Sequence, residues 1–145
     1  MKGWLLDTNI VSELRRPKPE LRVLDFVRAQ SLENLYISVV TLAEIRFGIE
    51  LLPDITRRTQ LGNWLTHKVR PMFEQRALPI SEEIMLKWRL LVEDGRKVGH
   101  TFSQPDLLIA ATAQQYGLTI VSRDTAEYAK AQVAVLNPWV DPLPV

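Results

Sequence analysis

The chain contains no cysteine. Disulfide bridges, thiolate-bound zinc and iron–sulfur clusters are therefore excluded, and the composition suits a reducing cytoplasm. Long hydrophobic runs are also lacking, since none approaches the roughly 18 residues that span a membrane. The opening segment, MKGWLLDTN, has too short an apolar run for a signal peptide. We expect a soluble, cytoplasmic protein without membrane contact.

The chain also lacks a strong net charge of either sign. The 18 Lys and Arg residues nearly balance the 17 Asp and Glu residues, which leaves a net charge of +1. Any basic surface for nucleic acid must therefore be local. A Walker phosphate loop, a G-x-G-x-x-G run and a serine nucleophile elbow are absent from the sequence, so the chemistries that depend on them lack support.

The residues that are present suit one ordered domain. Hydrophobic residues make up 46% and charged residues 24% of the 145 positions, and the nine prolines are scattered. This balance is typical of a folded globule, and single domains commonly have about 100 to 150 residues. We interpret residues 1–145 as a single domain.

Short apolar runs alternate with helical patterns along the chain. The runs resemble strands that are buried on both faces of a parallel sheet: 3–6, 35–38, 77–80, 118–121 and 133–136. The predicted helices are 9–15, 20–30, 41–52, 55–74, 82–98 and 104–116, with Gly117 suited to a left-handed cap. This alternation predicts an α/β fold in three layers, with a central parallel sheet of four to five strands flanked by helices.

Four acidic residues follow strands or begin helices in this scheme. Asp7 and Asp124 lie just beyond predicted strands, while Glu44 and Asp106 fall in the predicted first turns of helices. The carboxyl ends of parallel strands share one edge of a sheet, so all four are expected at one rim. Each acid also has a structural explanation, because Asp7 and Asp124 could be plain helix caps and the other two match capping boxes that start at Thr41 and Ser103.

Four converging carboxylates would repel one another unless a cation lay among them. Mg²⁺ or Mn²⁺ suits an all-oxygen site, and one or two such ions can support phosphodiester hydrolysis. His67 and His100 lie far along the chain from these acids, so neither is an obvious general base.

Four segments together resemble the VapC-type branch of the PIN-domain family. They are LLDTNIVSEL (5–14), TLAEIRFGIELLP (41–53), DLLIAATAQQYGLTIVSRD (106–124) and VAVLNPW (133–139). The resemblance covers nearly the whole chain in order and spacing. It implies a PIN-like fold and a metal-dependent endoribonuclease that acts as the toxin of a bacterial toxin–antitoxin pair.

The resemblance also assigns residues. Asp7, Glu44 and Asp106 match the family's Mg²⁺ or Mn²⁺ ligands, and Asp124 matches its fourth acidic position. Asn9 and Ser122 match polar positions that orient carboxylates or waters. Many relatives read T-R-N followed three residues later by Asp, whereas this chain reads Ser122-Arg123-Asp124 and then Glu127. Either Asp124 or Glu127 could complete the site, and we favour Asp124 because it is nearer the strand end. Arg123 is a candidate contact for substrate phosphate.

The partners that the resemblance implies are an RNA substrate, a small DNA-binding antitoxin similar to VapB, and a second copy of the chain in a homodimer. In this family the antitoxin lies in a groove beside the acids and often brings a cationic side chain to them. The apolar faces of 41–52, with Ile45, Ile49 and Leu52, and of 55–74 could form that groove, although core packing is the commoner fate of such faces.

Three other interpretations are open. A phosphoacceptor receiver domain also clusters acids around Mg²⁺, but the runs ALPIS and VAVLNPW lack its Asp and Lys. Haloacid-dehalogenase-like phosphatases resemble D-x-D, where this chain has Asn9. An inactive PIN-like scaffold that only binds RNA or protein would not need acids at all four positions.

Overall fold

The computed structural model describes residues 3–144. Five parallel strands form one sheet: β1 (Trp4–Leu6), β2 (Leu35–Ser38), β3 (Ala77–Leu78), β4 (Thr119–Val121) and β5 (Val135–Leu136). Their order is β3-β2-β1-β4-β5, and every neighbouring pair is parallel. The predicted parallel sheet is therefore confirmed, although every strand except β2 is shorter than its apolar run.

Eight α-helices connect and cover the strands. They are α1 (Thr8–Leu14), α2 (Leu21–Ala29), α3 (Val39–Glu50), α4 (Ile55–Trp64), α5 (Arg70–Met72), α6 (Glu82–Lys97), α7 (Gln104–Tyr116) and α8 (Thr125–Lys130), together with a 3₁₀ turn at Leu32–Asn34 and a π-helical turn at Leu65–Val69. This list of helices covers residues 3–144 only.

The two faces of the sheet bury two separate hydrophobic cores. Leu6 and Val121 belong to the core that packs against α1 to α4, whereas Leu5 and Ile120 belong to the core beneath α6, α7 and α8. Successive side chains of a strand point to opposite faces, so β1, β2, β4 and β5 each supply both cores. The predicted three-layer α/β architecture is confirmed.

The order of the strands places a switch point between β1 and β4. The chain builds β2 and β3 on one side of β1, then crosses over to build β4 and β5 on the other side. In open parallel sheets, ligands bind in the crevice outside the carboxyl ends of the strands at such a point. Asp7 and Ser122 directly follow β1 and β4 at this position.

The start of α3 differs from its prediction. The helix begins at Val39, and the hydroxyl of Ser38 accepts from the Val40 N–H at 3.0 Å. The predicted capping box from Thr41 to Glu44 is therefore wrong, and Glu44 lies in the second turn. Ser38 takes the cap because β2 runs directly into the helix without a loop.

The start of α7 is nearer its prediction. Ser103 is the N-cap and Asp106 lies in the first turn as expected, but the Ser103 side chain makes no capping hydrogen bond. The α7 helix ends at Gly117 with φ of 64°, which confirms the predicted left-handed cap. The short helix α8 has no counterpart among the predicted helices.

No helix within residues 3–144 is both long and apolar enough to cross a membrane.

Gly95 offers a test of the packing at the end of α6. A Cβ added there would lie 2.8 Å from the backbone oxygen of His100 and 2.8 Å from the Phe102 ring. We expect Gly95→Ala to lower the free energy of unfolding by about 1–3 kcal/mol, because the loop that leads into α7 would have to move. Urea denaturation measures this change.

Gly62→Ala is the matched control, because a Cβ at Gly62 in α4 would meet nothing within 4 Å. It should raise the free energy of unfolding by about 0.5–1 kcal/mol through higher helix propensity. Equal stabilities of the two variants would contradict the close packing at Gly95.

Candidate active site

Asp7 is a buried carboxylate at the end of β1, with only 5% of its surface exposed. Its Oδ1 accepts from the Thr8 N–H at 2.8 Å, so Asp7 is also the N-cap of α1. Its Oδ2 accepts from the Ser122 hydroxyl at 2.8 Å and from the Tyr128 hydroxyl at 2.9 Å. Three donors from three parts of the chain therefore hold this charge.

Asn9 and Ser122 form a network that supports Asp7. The Asn9 amide donates to the Ser122 hydroxyl oxygen at 3.0 Å, and the Asp124 N–H donates to the same oxygen at 3.0 Å. The Asn9 Oδ1 accepts from the Arg123 N–H at 3.1 Å. The structure thus brings both predicted supporting residues to Asp7 and fixes the chain that follows β4.

Glu44 faces Asp7 from α3. Its Oε1 accepts from the Thr8 hydroxyl at 3.3 Å. Burial and then the charge of Asp7 raise the pKa of Glu44, and the Thr8 hydrogen bond opposes them. Its surface is largely exposed all the same, so Glu44 lies at the open side of the rim.

Asp106 lies close enough to the other three acids for their charges to affect its pKa. Burial, followed by the charges of Asp7, Asp124 and Glu44, raises the pKa of Asp106 to about 6. A shift that depends on all three neighbours means that the four carboxylates share one region of the structure. Local sequence placed each of them near a strand or helix end, and the sheet brings them together.

The two candidates for the fourth acid interact with different residues. Glu127 Oε1 lies 3.1 Å from His100 Nε2, in a half-buried pair beside the loop before α7. Asp124 instead acts electrostatically on Asp106. This arrangement supports the preference for Asp124, whose role in the site stays a prediction.

Tyr128, on α8, is a residue that the sequence analysis missed. Only 1% of its surface is exposed, and its hydroxyl lies 2.9 Å from Asp7 Oδ2 and 3.4 Å from Asp106 Oδ1. Burial and the charges of Asp7 and Asp106 raise the pKa of Tyr128, so the hydroxyl stays protonated as a donor. The only available signal was an aromatic residue with a polar tip four positions after Asp124.

The donor set fits a hard divalent cation in its chemistry. The four acids offer only oxygen ligands, and their mutual repulsion is what a cation would relieve. Within residues 3–144, however, no three His, Asp or Glu side chains are already arranged so that they could hold a metal ion. Binding would therefore require side-chain adjustment, for which the exposed Glu44 and Asp124 have room.

A cleft of about 300 Å³ opens beside Glu44, between α1, α3 and α4. Its walls are partly apolar, with Ile45, Ile49, Leu52, Leu61 and Trp64 beside the polar Thr8 and Ser12. Ile45 and Ile49 are also buried in the adjacent core. The predicted groove and the predicted core packing therefore involve the same helix face.

Arg123 is held at the edge of the same rim. Its guanidinium carbon lies 4.5 Å from the centre of the Trp139 ring, as a cation–π pair. The N-P-W segment thereby holds the exposed Arg123 side chain, whose backbone N–H is bonded to Asn9.

Comparison with known proteins places this geometry in a family. The sequence profile of the PIN domain matches residues 4–133, which is most of the chain. The chain belongs to the PIN-domain family. The curated relatives include Toxin FitB of Neisseria gonorrhoeae, which is 38% identical over 94% of this chain and 99% of its own length. They also include VapC ribonuclease Y4jK of Sinorhizobium fredii, which is 36% identical over 93% of this chain and 96% of its own length.

Solved structures agree with this assignment to the PIN-domain family. The crystal structure of FitAcB from Neisseria gonorrhoeae superimposes with a TM-score of 0.88 at 38% identity, over 94% of this chain and 98% of that chain. A structure of DNA-bound VapBC from Salmonella typhimurium has a TM-score of 0.80 at 19% identity, over 95% and 99% of the two chains. At 19% identity, the likeness to VapBC shows a shared fold and nothing more.

Repulsion among the acids predicts a pH dependence of stability in the presence of a chelator. The pKa of Asp106 is raised, so its protonated form is favoured in the folded state. Stability should therefore fall as the pH rises from about 4 to 6, by about 1 kcal/mol after allowance for solvent screening. Asp106→Asn should lose this fall, as urea denaturation across that pH range would show.

Asp25→Asn is the control, because Asp25 is exposed on α2, away from the rim. It should keep the pH dependence of the unsubstituted protein. An unchanged dependence in Asp106→Asn would contradict the electrostatic coupling.

Proposed function

We propose that this protein is the ribonuclease toxin of a toxin–antitoxin pair, a metal-dependent endoribonuclease that hydrolyses RNA phosphodiester bonds with Mg²⁺ or Mn²⁺. The observation that carries the proposal is the convergence of the acids: the Tyr128 hydroxyl lies 2.9 Å from Asp7 and 3.4 Å from Asp106, and Thr8 is hydrogen-bonded to both Asp7 and Glu44. The names of the relatives, a toxin and a VapC ribonuclease, support the same function. The reducing environment that a cysteine-free chain suits makes the cytoplasm the proposed location.

Asp7, Glu44, Asp106 and Asp124 would hold the cation. When bound, it would supply Lewis-acid stabilisation of the phosphate and activation of a water. The chain's own residues keep the acids in place: Asp7 is fixed by its donors, and the Asp124 N–H is bonded to Ser122. We propose that Arg123 binds a phosphate of the RNA.

Neither histidine acts as a general base in this proposal. His67 is exposed in the π-helical turn, and His100 faces Glu127. Proton transfer is therefore left to the carboxylates and to water.

The proposed antitoxin site is the cleft beside Glu44. Its apolar walls would receive apolar side chains of an antitoxin segment, and Glu44, the acid that lines it, would attract a cationic side chain. One solved relative is FitAB bound to a DNA fragment, at 35% identity and a TM-score of 0.89. We propose by analogy that the antitoxin of this chain also binds DNA.

The receiver-domain alternative conflicts with the topology. Receiver domains have the strand order 2-1-3-4-5, whereas this sheet has the order 3-2-1-4-5. The segment after β5 begins with Asn137 and Pro138 and supplies no Lys. An inactive PIN-like scaffold is left as the alternative, and a cleavage assay separates it from a nuclease.

We also propose a homodimer, and one face of α6 fits a second copy. Leu86 and Leu90 on this face are 56% and 57% exposed. Glu83, Lys87, Asp94 and Lys97 flank them at helical spacing, and among residues 3–144 no identified ion pair uses these four. A cavity of about 740 Å³ runs along the same face.

The charges of this face are self-complementary when two copies pair in antiparallel fashion. A two-fold axis near Leu90 sets Lys87 opposite Asp94 of the second copy, and Glu83 opposite Lys97. A two-fold axis makes each such contact occur twice. The leucines would then pack against each other at the centre of the interface.

Removal of Asp7 tests the nuclease proposal. Asp7→Asn keeps the shape of the side chain but removes its charge, so cleavage of a structured RNA with Mn²⁺ should fall at least about 100-fold. A gel assay measures this loss, and excess chelator should abolish cleavage by the unsubstituted protein. Asp25→Asn, on α2, should cleave normally. Equal cleavage by Asp7→Asn, or cleavage that survives chelation, would contradict the proposal.

A charge exchange tests the proposed dimer. Lys87→Asp and Asp94→Lys should each weaken dimerisation by about tenfold, because like charges would then face each other. The double variant should restore it, as light scattering after size-exclusion chromatography can show. Lys68→Asp, in the exposed π-helical turn, is the control for the change of charge. A monomer at all concentrations, or no rescue in the double variant, would contradict this interface.

A further inference from the structure

The Tyr128 hydroxyl lies between two acids of the proposed site. It is 2.9 Å from Asp7 Oδ2 and 3.4 Å from Asp106 Oδ1, and the residue is almost completely buried. A phenol carries one proton, so it can donate fully to only one carboxylate at a time. The shorter distance assigns that proton to Asp7 and leaves the hydroxyl in contact with Asp106.

Asp7 has an unequal set of donors on its two oxygens. Oδ2 receives both the Ser122 and the Tyr128 hydroxyls, whereas Oδ1 receives only the Thr8 N–H. A carboxylate oxygen has about two lone-pair directions. Oδ2 is therefore saturated by the protein, and Oδ1 keeps free acceptor capacity.

The geometry points to Tyr128 as a positioning residue for the metal-binding acids, which sets the orientation of Asp7 and its spacing from Asp106. This inference rests on the proposed function, since it concerns how the chain holds a cation. Tyr128 acts through the two carboxylates. The ring anchors the hydroxyl, because it is packed in the core beneath α6, α7 and α8 with Ile120 and Val133.

The placement of Tyr128 links α8 to the site. The helix begins directly after Asp124, so the same short segment supplies one acid and a hydroxyl that contacts two others. Orienting partners of metal ligands typically affect metal affinity by about 10- to 100-fold. Loss of this hydroxyl should therefore weaken cation binding without removing a ligand.

Tyr128→Phe is the test, because it keeps the ring and removes only the hydroxyl. We expect its affinity for Mn²⁺, measured by isothermal titration calorimetry without RNA, to fall about tenfold. Cleavage of RNA by this variant should recover as the Mn²⁺ concentration is raised. Tyr116→Phe is the matched control: Tyr116 lies on α7 in the same core, and no hydrogen bond of its hydroxyl to the acids is found within residues 3–144.

A second substitution shows whether the effect passes through Asp7 Oδ2. Ser122→Ala removes the other hydroxyl donor to that oxygen. If both hydroxyls act on one oxygen, the loss of Mn²⁺ affinity in the double variant should differ from the product of the two single losses. Independent losses would overturn the shared action on Asp7.

The remaining outcomes are distinct. A change of no more than about twofold in the Mn²⁺ affinity of Tyr128→Phe would be far below the usual effect of such partners. It would overturn the positioning role and leave the proposed function intact. If Tyr128→Phe loses Mn²⁺ affinity only because it also loses the circular dichroism spectrum of the folded protein, the hydroxyl has a merely structural role. That outcome would also overturn the positioning role. Failure of the unsubstituted protein to bind Mn²⁺ would contradict the proposed function itself, and this inference with it.

Discussion

The buried carboxylate of Asp7 is the interaction on which the geometry of the rim depends. An ionised carboxylate is unfavourable in a core unless several donors replace its water. Here the donors come from α1, from the end of β4 and from α8, through Thr8, Ser122 and Tyr128. One charge therefore ties three elements together, and the parallel pairing of β1 with β4 puts it at the switch point of the sheet.

The other acids lie around Asp7, whose charge already has its hydrogen-bond donors. Asp7 has three hydrogen-bond donors, whereas Glu44 has one hydroxyl donor and Asp106 has a weak contact with Tyr128. Burial and then repulsion accordingly raise the pKa of both Glu44 and Asp106. The two cores on either face of the sheet fix the elements that carry the acids.

The sequence predicted the sheet, most helices and the separate positions of the acids because these depend on local patterns. It was wrong about the start of α3, where Ser38 caps the helix and Thr41 does not. It also missed α8, which is six residues long, too short to give a clear helical period. Because α8 was missed, the role of Tyr128 was missed too. The pairing of Glu127 with His100 could not be foreseen, because the two residues lie far apart in the chain.

Local chemistry by itself determined the parallel α/β class, predicted a single domain and placed Asp7, Asp106 and Asp124 at strand ends or helix starts, whereas Glu44 lies one turn further into α3 than predicted. The motifs added the family that the comparisons then showed. Only the tertiary structure decided which side chains hold Asp7, that Asp124 acts on Asp106 while Glu127 pairs with His100, and where the cleft opens. The reason is physical: strand and helix patterns repeat over a few residues, whereas the hydroxyl contacts of Asp7 and Asp106 and the His100–Glu127 pair join residues more than 20 positions apart.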